Sequence, residues 1–511
     1  MNDKTLQERY LRRILNSKVY DVAFESPLEE ARTLSRKLGN RFLLKREDLQ
    51  SVHSFKLRGA YNKMAQLPRA ALAKGVLAAS AGNHAQGVAL SAQRLGCRAT
   101  IVMPVTTPEI KVASVKSYGA SIVLSGDSYS DAAATAARLV KEKGYTFIPP
   151  YDDPDVIAGQ GTVAMEILRQ NPGPLDAVFV PVGGGGFAAG VAVYVKAVRP
   201  QVKVYGVEPV DSDCMDRSLK AGRRIEMTEV GLFADGVAVK KPGKITFDLC
   251  RRFLDGIVRV STDETCAAIK DIFDATRAIC EPAGALALAA AKQHAAKKGR
   301  KGETYACILS GANMNFDRIR FVSEQTEIGE KREAILECRI PEERGAFKSF
   351  IRRLGKRNVT EFNYRYFDPN RAYVFVGLSV ADRAETRRIV EQLTAAKIGT
   401  IDLSDDELAK EHIRHMVGGH TQGIHDEVAY TFEFPERPGA LMDFLEAISN
   451  RWNITLFHYR NHGADHGKVL VGLQVPPRDR KVFTRTLKTL GYAFRDVSSN
   501  PAYRLFLGNR G

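Results

Sequence analysis

The chain has 511 residues, of which 44% are hydrophobic and 26% are charged. This length and composition are typical of a soluble globular protein of roughly two to four domains, and no apolar run reaches the ~18 residues that a transmembrane helix needs. The net charge of +16 is spread along the chain without a long block of Lys and Arg, so we expect neither a nucleic-acid partner nor a membrane partner.

The N-terminal segment MNDKTLQERYLRRILNSKVY contains no apolar core of the kind that marks a secretory signal. The seven cysteines are widely scattered and show no CxxC spacing, which argues against a disulfide framework and against a zinc site. We therefore expect a cytoplasmic protein whose thiols are reduced.

Residues 20 to 320 alternate short apolar runs with alanine-rich stretches of helical character. The runs predicted to be strands are GVLAASAGN, ATIVMP, ASIVLSG, YTFIPP, LDAVFVPVGGG, VKVYGVEP and ETYACILSGAN. Helices are predicted over Ala85–Leu95, Tyr129–Lys143 and Thr265–Lys298. Continuous apolar strands that alternate with helices indicate parallel sheets covered on both faces, and such sheets bind ligands at the carboxyl ends of their strands.

The first motif along the chain is SFKLRGAY, which places Lys56 just before a segment with helical character. Most lysines are solvated surface charges, and local sequence favours that interpretation. The alternative is an amine held where a ligand must react with it. The flanking residues alone do not decide between these two interpretations.

The next motif, SAGNHAQGVAL, again places a small polar turn between a predicted strand and a predicted helix. Ser80, Gly82, Asn83 and His84 offer backbone N–H groups and a hydroxyl that suit a carboxylate ligand. Taken singly, each is more often a helix cap. The last predicted strand of this region ends in LSGANM, which places the hydroxyl of Ser310 at its carboxyl end.

The segment PVGGGGFAAGVAVYVKAV, residues 181–198, places four glycines between a strand and a helix. Glycines allow backbone N–H groups to converge on an anion, and the helix N-terminus adds partial positive charge. The spacing and acidic residue of a dinucleotide fingerprint are missing, as is the Gly-Lys-Ser/Thr of a Walker motif. A flexible turn remains one interpretation, and a cradle for a single phosphate, such as that of pyridoxal phosphate, is the other.

After about Phe321 the sequence contains an internal repeat. EAILECRIPEERGAF resembles EVAYTFEFPERPGAL, NVTEFNYR resembles NITLFHYR, and VFVGLSV resembles VLVGLQV. Three similar segments in the same order indicate two tandem modules, each predicted as a strand, a Pro-x-x-x-Gly turn, an amphipathic helix and two strands. The repeat aligns Tyr364 with Tyr459, and a linking helix is predicted over Asp405–Val417.

Five segments together carry a family resemblance: SFKLRGA, SAGNHAQG, GGGG, EPAGA and SGANMNF, in this order. They resemble the fold-type II pyridoxal-phosphate enzymes and, within that group, are most similar to the threonine dehydratases. The C-terminal modules resemble the ACT-like regulatory domains of the isoleucine-pathway members. The resemblance implies an α/β catalytic domain with two parallel-sheet subdomains over residues 1–325, followed by α+β ACT-like domains over 333–404 and 427–500.

The resemblance implies pyridoxal 5'-phosphate as the cofactor, linked covalently to Lys56, which then takes the Cα proton of the substrate. Phe55 would pack against the pyridine ring, Asn83 would hydrogen-bond the ring oxygen, and Ser310 would face the ring nitrogen. The residues expected to bind the phosphate through backbone N–H groups are Gly183, Gly184, Gly185, Gly186 and Phe187.

The residues expected to bind the substrate carboxylate are Ser80, Ala81, Gly82, Asn83 and His84. Racemases of the resembled family carry a serine where this chain has Ala81, and a methyl group cannot donate the proton that racemisation needs on the second face. Serine racemases also use an acidic pair after GVEP to bind a metal, whereas this chain has Glu208 and then Cys214. A divalent metal is therefore not expected, a monovalent ion or no ion being the alternatives. Glu281 is expected to support the wall of the site.

The implied activity is dehydration and deamination of L-threonine to 2-oxobutanoate and ammonia, the committed step toward isoleucine, with L-serine as a second substrate. Isoleucine as inhibitor and valine as activator would bind the C-terminal modules, with Tyr364 and Tyr459 as candidate residues. Alternatively, both tyrosines are ordinary strand residues. The implied assembly is a homotetramer. A serine dehydratase or racemase of the same group, and a non-enzymatic sensor of amino acids, remain as other interpretations.

Overall fold

The computed structural model divides the chain into two compact units, Met1–Thr326 and Glu327–Gly511. The residues it describes are 2–507 except 108, 127–128, 300, 317, 330–332, 367, 407–408, 410–423, 436–439, 449–450, 461–465, 501–502 and 504–506. Each unit contains its own sheets and its own apolar core.

The elements of the first unit alternate between strands and helices. Its strands are β1 Leu28–Glu30, β2 Arg41–Arg46, β3 Val76–Ala79, β4 Ala99–Met103, β5 Ser121–Leu124, β6 Thr146–Phe147, β7 Ala177–Pro181, β8 Lys203–Pro209, β9 Gly256–Val260 and β10 Thr304–Leu309. Its helices are α1 Asp3–Leu15, α2 Arg32–Leu38, α3 Lys56–Met64, α4 Arg69–Lys74, α5 Asn83–Leu95, α6 Glu109–Ser117, α7 Tyr129–Lys143, α8 Pro154–Gln170, α9 Gly186–Val198, α10 Cys214–Ala221, α11 Lys244–Phe253, α12 Thr262–Thr276 and α13 Pro282–Lys298, and α14 Arg318–Gly329 follows them.

Two parallel sheets organise the first unit. One has the strand order β5-β4-β3-β6, and the other has the order β1-β2-β10-β7-β8-β9, in which only β1 is antiparallel to its neighbour. Along β7, Val178 and Val180 pack with α8 and α9, whereas Phe179 packs with α12 and α13. Both faces of this sheet are thus covered, and the predicted α/β class with two parallel sheets is confirmed.

The single helix predicted over Thr265–Lys298 is wrong, because α12 and α13 are separate helices. Arg277 adopts a left-handed conformation with φ of 59° and ends α12. Pro282 then begins α13, and its ring cannot donate the N–H that a continuous helix would require. The break places Glu281 at the N-terminus of α13, where its carboxylate joins the site described below.

The second unit is built on one antiparallel sheet. Its strands are β11 Glu333–Pro341, β12 Val359–Arg365, β13 Arg371–Ser379, β14 Gly399–Asp402, β15 Glu427–Pro435, β16 Asn453–Arg460, β17 His466–Gln474 and β18 Ala493–Asp496, in the order β14-β11-β13-β12-β16-β17-β15-β18. Its helices are α15 Ala346–Leu354, α16 Arg383–Ala395, α17 Ala440–Ile448 and α18 Arg480–Leu490. The predicted α+β character of this region is confirmed.

The predicted pattern of each repeat was incomplete. After the two predicted strands, the first module continues with α16 and β14, and the second continues with α18 and β18. These additions lie outside the similar segments, so the repeat alone did not reveal them. Each added strand pairs with the first strand of its own module at an edge of the sheet.

The two modules join where β12 pairs with β16 in an antiparallel register. Arg365 on β12 reaches into the second module, where it forms an ion pair of 2.6 Å with Glu427 and donates a hydrogen bond to the carbonyl of Thr455. The predicted linking helix over Asp405–Val417 lies mostly outside the described residues, as does the turn of the second module at 436–439. In the described part of the chain, no helix combines the length and apolar character needed to span a bilayer.

Candidate active site

The predicted site segments meet at the carboxyl ends of parallel strands. Ser310 directly follows β10, and its carbonyl accepts a hydrogen bond of 3.2 Å from the N–H of Phe55. Ser54 forms an isolated antiparallel bridge with Gly311. These contacts bring the start of α3, and therefore Lys56, beside the end of β10.

Lys56 is the first residue of α3 and is only half-buried as a residue, but its amine is desolvated. This desolvation lowers the pKa of the amine from 10.5 to about 8, although the charge of Glu281 opposes the shift. The amine lies 5.2 Å from the centre of the Phe55 ring. A lysine in this state is a free base in a much larger fraction of molecules than a surface lysine, and it is a correspondingly better nucleophile and base.

A hydrogen-bond network fixes the side chain of Asn83 at the N-terminus of α5. Its amide nitrogen donates to Glu281 Oε1 at 2.8 Å, and its oxygen accepts from the amide nitrogen of Asn313 at 2.7 Å. Asn313 also donates its backbone N–H to Glu281 Oε2 at 3.1 Å. These contacts determine which end of the Asn83 amide is the donor and leave its second N–H for a ligand.

Sequence reasoning missed Asn313 and gave Glu281 only a general supporting role. Asn313 lies in the quoted segment SGANMNF, but nothing in the sequence indicates that its side chain reaches Asn83. Burial raises the pKa of Glu281 to about 7, and the charge of Asp235 adds to the shift. The Glu281 carboxyl group therefore changes charge near neutral pH inside the site.

The predicted carboxylate-binding turn lies between β3 and α5. The N–H of Gly82 donates to the Ser80 hydroxyl at 3.3 Å, and the space beside Gly82 is open. The His84 ring is buried and contacts the carbonyl of Ile148 at 2.8 Å through Nε2, and burial lowers its pKa to about 4. Because the ring is neutral and its Nε2 is hydrogen-bonded to the Ile148 carbonyl, His84 can bind an anion only through its backbone N–H.

The four glycines form a turn that continues into α9. Gly185 has a φ of 95° at the N-terminus of the helix, a conformation that favours glycine. The carbonyl of Gly184 accepts hydrogen bonds from the Thr246 hydroxyl at 2.6 Å and from the Gly243 N–H at 3.3 Å. Among the described residues, by contrast, the N–H groups of Gly183, Gly184 and Gly185 have no acceptor.

Tyr151 and Asp152 hold this glycine turn from the side. A Cβ atom on Gly184 would lie 2.3 Å from the Tyr151 ring, and one on Gly186 would lie 2.8 Å from the Tyr151 carbonyl oxygen. Asp152 accepts backbone N–H bonds at the start of α11, the helix that carries Thr246. Sequence reasoning did not identify either residue, because both follow the short strand β6 without a recognisable motif.

Phe55 and Phe187 contact each other directly. Their ring centres are 3.9 Å apart and their planes differ by 12°. This stacked pair lies in the core between α3 and α9 and links the lysine segment to the glycine turn. The contact of Phe55 with a cofactor ring stays a prediction.

The arrangement fits pyridoxal phosphate. Unpaired N–H groups at a helix N-terminus suit a single phosphate group, and a partly deprotonated lysine amine suits a covalent link to an aldehyde. The amide of Asn83 and the hydroxyl of Ser310 are the polar side-chain groups that could hydrogen-bond the pyridoxal ring. Within the described ranges, no cluster of three or more His, Cys, Asp or Glu residues is placed to hold a metal.

The two tyrosines of the repeat lie on the strands that join the modules. Phe362 pairs with Tyr459, and Tyr364 pairs with Phe457, so the tyrosines are diagonal neighbours on one face of the sheet. Tyr364 is buried, and its hydroxyl donates a hydrogen bond of 2.5 Å to Glu342. Burial of this pair raises the pKa values of both groups.

Comparisons with known proteins match both units. Residues 19–311 match the family of pyridoxal-phosphate dependent enzymes, and residues 324–413 and 418–507 match the C-terminal regulatory domain of threonine dehydratase. The L-threonine dehydratase biosynthetic IlvA of Burkholderia multivorans is 58% identical to this chain. The alignment covers 98% of this chain and 99% of the Burkholderia protein.

Solved structures also match. The processed form of threonine deaminase isoform 2 from Solanum lycopersicum is 50% identical, with a TM-score of 0.63 over 63% of this chain and 89% of that chain. A maize serine racemase is 31% identical, with a TM-score of 0.57 over 62% of this chain and 95% of that chain.

Proposed function

This chain belongs to the biosynthetic threonine dehydratases, a family of pyridoxal-phosphate-dependent enzymes, and we propose that Lys56 is the catalytic amine with which it converts L-threonine to 2-oxobutanoate and ammonia. The observation that carries the residue assignment is the desolvated amine of Lys56, with a pKa lowered to about 8, beside the end of β10. Purified protein supplied with pyridoxal phosphate should release 2-oxobutanoate from L-threonine. A cofactor-loaded protein that releases none would contradict the proposal.

Lys56 has two tasks in this proposal. Its free amine would hold the cofactor through the aldehyde carbon, and once free again it would accept the proton of the substrate Cα. When bound, pyridoxal phosphate supplies a conjugated ring that withdraws electrons from Cα, so that the proton and the β-hydroxyl can leave. The released 2-aminocrotonate tautomerises and hydrolyses in water to 2-oxobutanoate and ammonia.

The remaining site residues bind and orient. The N–H groups at the start of α9 would hold the phosphate, and the turn from Ser80 to His84 would hold the substrate carboxylate. The second N–H of Asn83, oriented by Glu281 and Asn313, would donate a hydrogen bond to the ring oxygen. The Ser310 hydroxyl would be the partner of the ring nitrogen, and a hydroxyl stabilises positive charge there less than a carboxylate would.

The lowered pKa of Lys56 predicts a pH dependence for the apoenzyme. Only the neutral amine attacks an aldehyde, so the rate of cofactor attachment should rise about tenfold per pH unit below the pKa and level off above it. Because the pKa is about 8, the plateau should begin near pH 8. Stopped-flow mixing of apoenzyme with pyridoxal phosphate measures this rate. A rate of attachment that continues to rise up to about pH 10, as for an ordinary lysine, would contradict the lowered pKa of Lys56.

Ala81 favours elimination over racemisation. Its methyl group has no proton to donate to the second face of Cα, so proton transfer relies on Lys56 alone. Side-by-side assays with L-threonine, L-serine and D-serine should show 2-oxo acid formation from the L-amino acids and no interconversion of L- and D-serine. Rapid formation of D-serine from L-serine would support the racemase interpretation instead.

We propose that the modules at 333–404 and 427–500 bind isoleucine as a feedback inhibitor and valine as an opposing activator. The family match to a regulatory domain supports this proposal, as does the position of Tyr364 and Tyr459 on the strands that join the modules. A ligand at this junction would contact both modules at once. It would shift the arrangement of the modules only if it bound one arrangement more tightly than another.

Isoleucine titration tests this regulation. Isoleucine should inhibit the full chain and leave a chain truncated after Thr326 unaffected. Tyr364→Phe removes the hydrogen bond to Glu342 near the junction of the modules and should weaken inhibition about tenfold, since the coupling between a regulatory site and an active site is typically about 1–3 kcal/mol. Tyr373→Phe is the matched control, because Tyr373 lies on the neighbouring strand and is 44% exposed. Equal inhibition of the full and truncated chains would show that the modules do not mediate the inhibition by isoleucine.

The proposal includes a cytoplasmic homotetramer. All seven cysteines are free thiols, as expected in a reducing compartment, and closed symmetric assemblies are the common form of soluble oligomers. Light scattering of the purified protein should give about four times the chain mass of 56.4 kDa. A mass of one chain at working concentrations would contradict the tetramer.

A further inference from the structure

Four charged side chains form a cluster in the interior of the first unit, outside the site described above. Lys45 and Glu47 come from β2 and the turn after it, Arg58 comes from α3, and Glu166 comes from α8. All four side chains are 0% exposed. Arg58 pairs with Glu47 at 2.7 Å and with Glu166 at 2.6 Å, and Lys45 pairs with Glu166 at 2.7 Å.

Every nitrogen of the Arg58 guanidinium is engaged. Nε and Nη2 form a fork to the two oxygens of Glu47, at 2.8 and 2.7 Å. Nη1 donates to Glu166 at 2.6 Å and to the Thr162 hydroxyl at 3.1 Å, and Nη2 also contacts Glu166 and the Phe24 carbonyl at 3.1 and 3.2 Å. A planar fork held from three directions cannot rotate without losing several charge-assisted hydrogen bonds.

Stability alone gives little reason for this cluster. Burying charges costs desolvation energy, and well-packed apolar residues of similar volume often stabilise a protein as well as a buried ion pair does. What such a cluster supplies better than apolar packing is direction, because each fork permits one geometry. Its members here fix three separate elements relative to one another.

The cluster anchors the first turn of α3. Lys56 lies between two anchors: Phe55 is bound to the end of β10 through Ser310, and Arg58 is bound to Glu47 and Glu166. Positions two apart on a helix point to nearly opposite sides. Arg58 therefore holds the back of the turn whose front carries the Lys56 amine.

Glycines allow the neighbouring helices to press against α3 at the same level. A Cβ atom on Gly159 of α8 would lie 2.6 Å from the Arg58 carbonyl oxygen, and one on Gly87 of α5 would lie 3.1 Å from the Leu57 backbone. The N–H of Gly59, near the helix start, donates to Gln160 of α8 at 3.2 Å. The turn is thus restrained by backbone contact on its flanks and by Arg58 at its back.

We propose that Arg58, held by Glu47 and Glu166, is a positioning residue that fixes the direction of the Lys56 amine toward the cofactor aldehyde and the substrate Cα. This inference rests on the proposed role of Lys56. The Arg58 side chain is fully buried within the cluster, so its proposed role is exerted through Lys56. Because reactions in active sites depend on placement to within about 0.5 Å, a small rotation of α3 is enough to slow both steps that use the amine.

Two variants and one control test the proposal. Arg58→Lys keeps the charge and loses the fork, and Glu47→Gln keeps the shape and loses one charge. The control is Ile167→Val, which removes one methyl group from the apolar side of α8 beside Glu166 and leaves the cluster intact. For each protein, urea unfolding measures stability, borohydride trapping measures the rate at which apoenzyme links pyridoxal phosphate to Lys56, and steady-state assays give kcat and KM for L-threonine.

We expect both cluster variants to attach the cofactor at least about tenfold more slowly and to show a kcat lowered about 10- to 100-fold, since misplacement by about 1 Å has effects of this size. KM should change less than about threefold, because the carboxylate-binding turn is not part of the cluster. Ile167→Val should lower the urea midpoint, because it removes a buried methyl group, and should leave cofactor attachment and kcat near the parent values.

The outcomes separate this inference from the proposed function. Cluster variants that attach cofactor and turn over threonine like the control would overturn the positioning role while leaving Lys56 as the catalytic amine. Failure of the parent protein to link the cofactor at Lys56 would instead overturn the proposed function. Because Glu47→Gln preserves the volume of the side chain, it carries the same test if Arg58→Lys does not fold.

Discussion

Replacing Lys56 with alanine should lower the rate of 2-oxobutanoate formation from L-threonine by at least about 10²–10⁴-fold, the contribution expected of a positioned general base. The reason is that no other described lysine combines a desolvated amine at the carboxyl ends of the strands with a pKa lowered to about 8. The loss should appear in kcat with cofactor present in excess. A coupled assay for the 2-oxo acid, run with cofactor-saturated protein, measures it.

Lys63→Ala is the matched control for this substitution. Lys63 lies on the same helix but pairs with Asp153 at 2.8 Å, and its side chain is 21% exposed. Lys63 lies at the opposite end of α3 from Lys56, so its loss should leave activity near that of the parent. If Lys56→Ala deaminated threonine as fast as Lys63→Ala does, Lys56 would have no role in the chemistry.

The second large effect is expected at the glycine turn. Gly185→Ala introduces a Cβ atom 3.0 Å from the Thr246 side chain at a residue with φ of 95°, a conformation that residues with a side chain rarely adopt. We therefore expect the turn to shift and its N–H groups to lose their common direction. Each hydrogen bond to a charged group contributes about 1.5–3 kcal/mol, so losing one should weaken binding of pyridoxal phosphate about 10- to 100-fold. Equilibrium dialysis of the apoenzyme measures this affinity.

Gly173→Ala separates this effect from the general cost of replacing a glycine. Gly173 is exposed, has no positive φ, and has open space where the Cβ would lie. Its substitution should leave cofactor affinity unchanged. Equal affinity in the Gly185 and Gly173 variants would show that the glycine turn does not bind the phosphate.

The fold and the location of the site were predictable because both depend on local patterns. Apolar runs followed by small polar turns predicted parallel strands, and such strands collect their turns at one edge. Lys56, Asn83 and Ser310 therefore came together as expected from their positions in chain order. The Pro282 that separates α12 from α13 was also visible in EPAGA, but the alanine-rich sequence around it favoured one long helix.

The interactions that orient these residues were not predictable, since they join residues far apart in sequence. Asn313 reaches Asn83 across 230 positions, and Arg58 reaches Glu166 across 108. Nothing near Arg58 in SFKLRGAY distinguishes a buried guanidinium from a solvated one. The sequence around Tyr151 likewise does not indicate that its ring packs against Gly184.

The role of Lys56 as the residue that binds the cofactor is tested by chemical identification of the modified lysine. The purified, cofactor-loaded protein is reduced with borohydride, digested and mapped by mass spectrometry. We expect the phosphopyridoxyl group on the peptide that contains Lys56, in an amount close to one per chain. If protein that was active before the reduction carried the phosphopyridoxyl group on a different lysine, the assignment of Lys56 would be wrong.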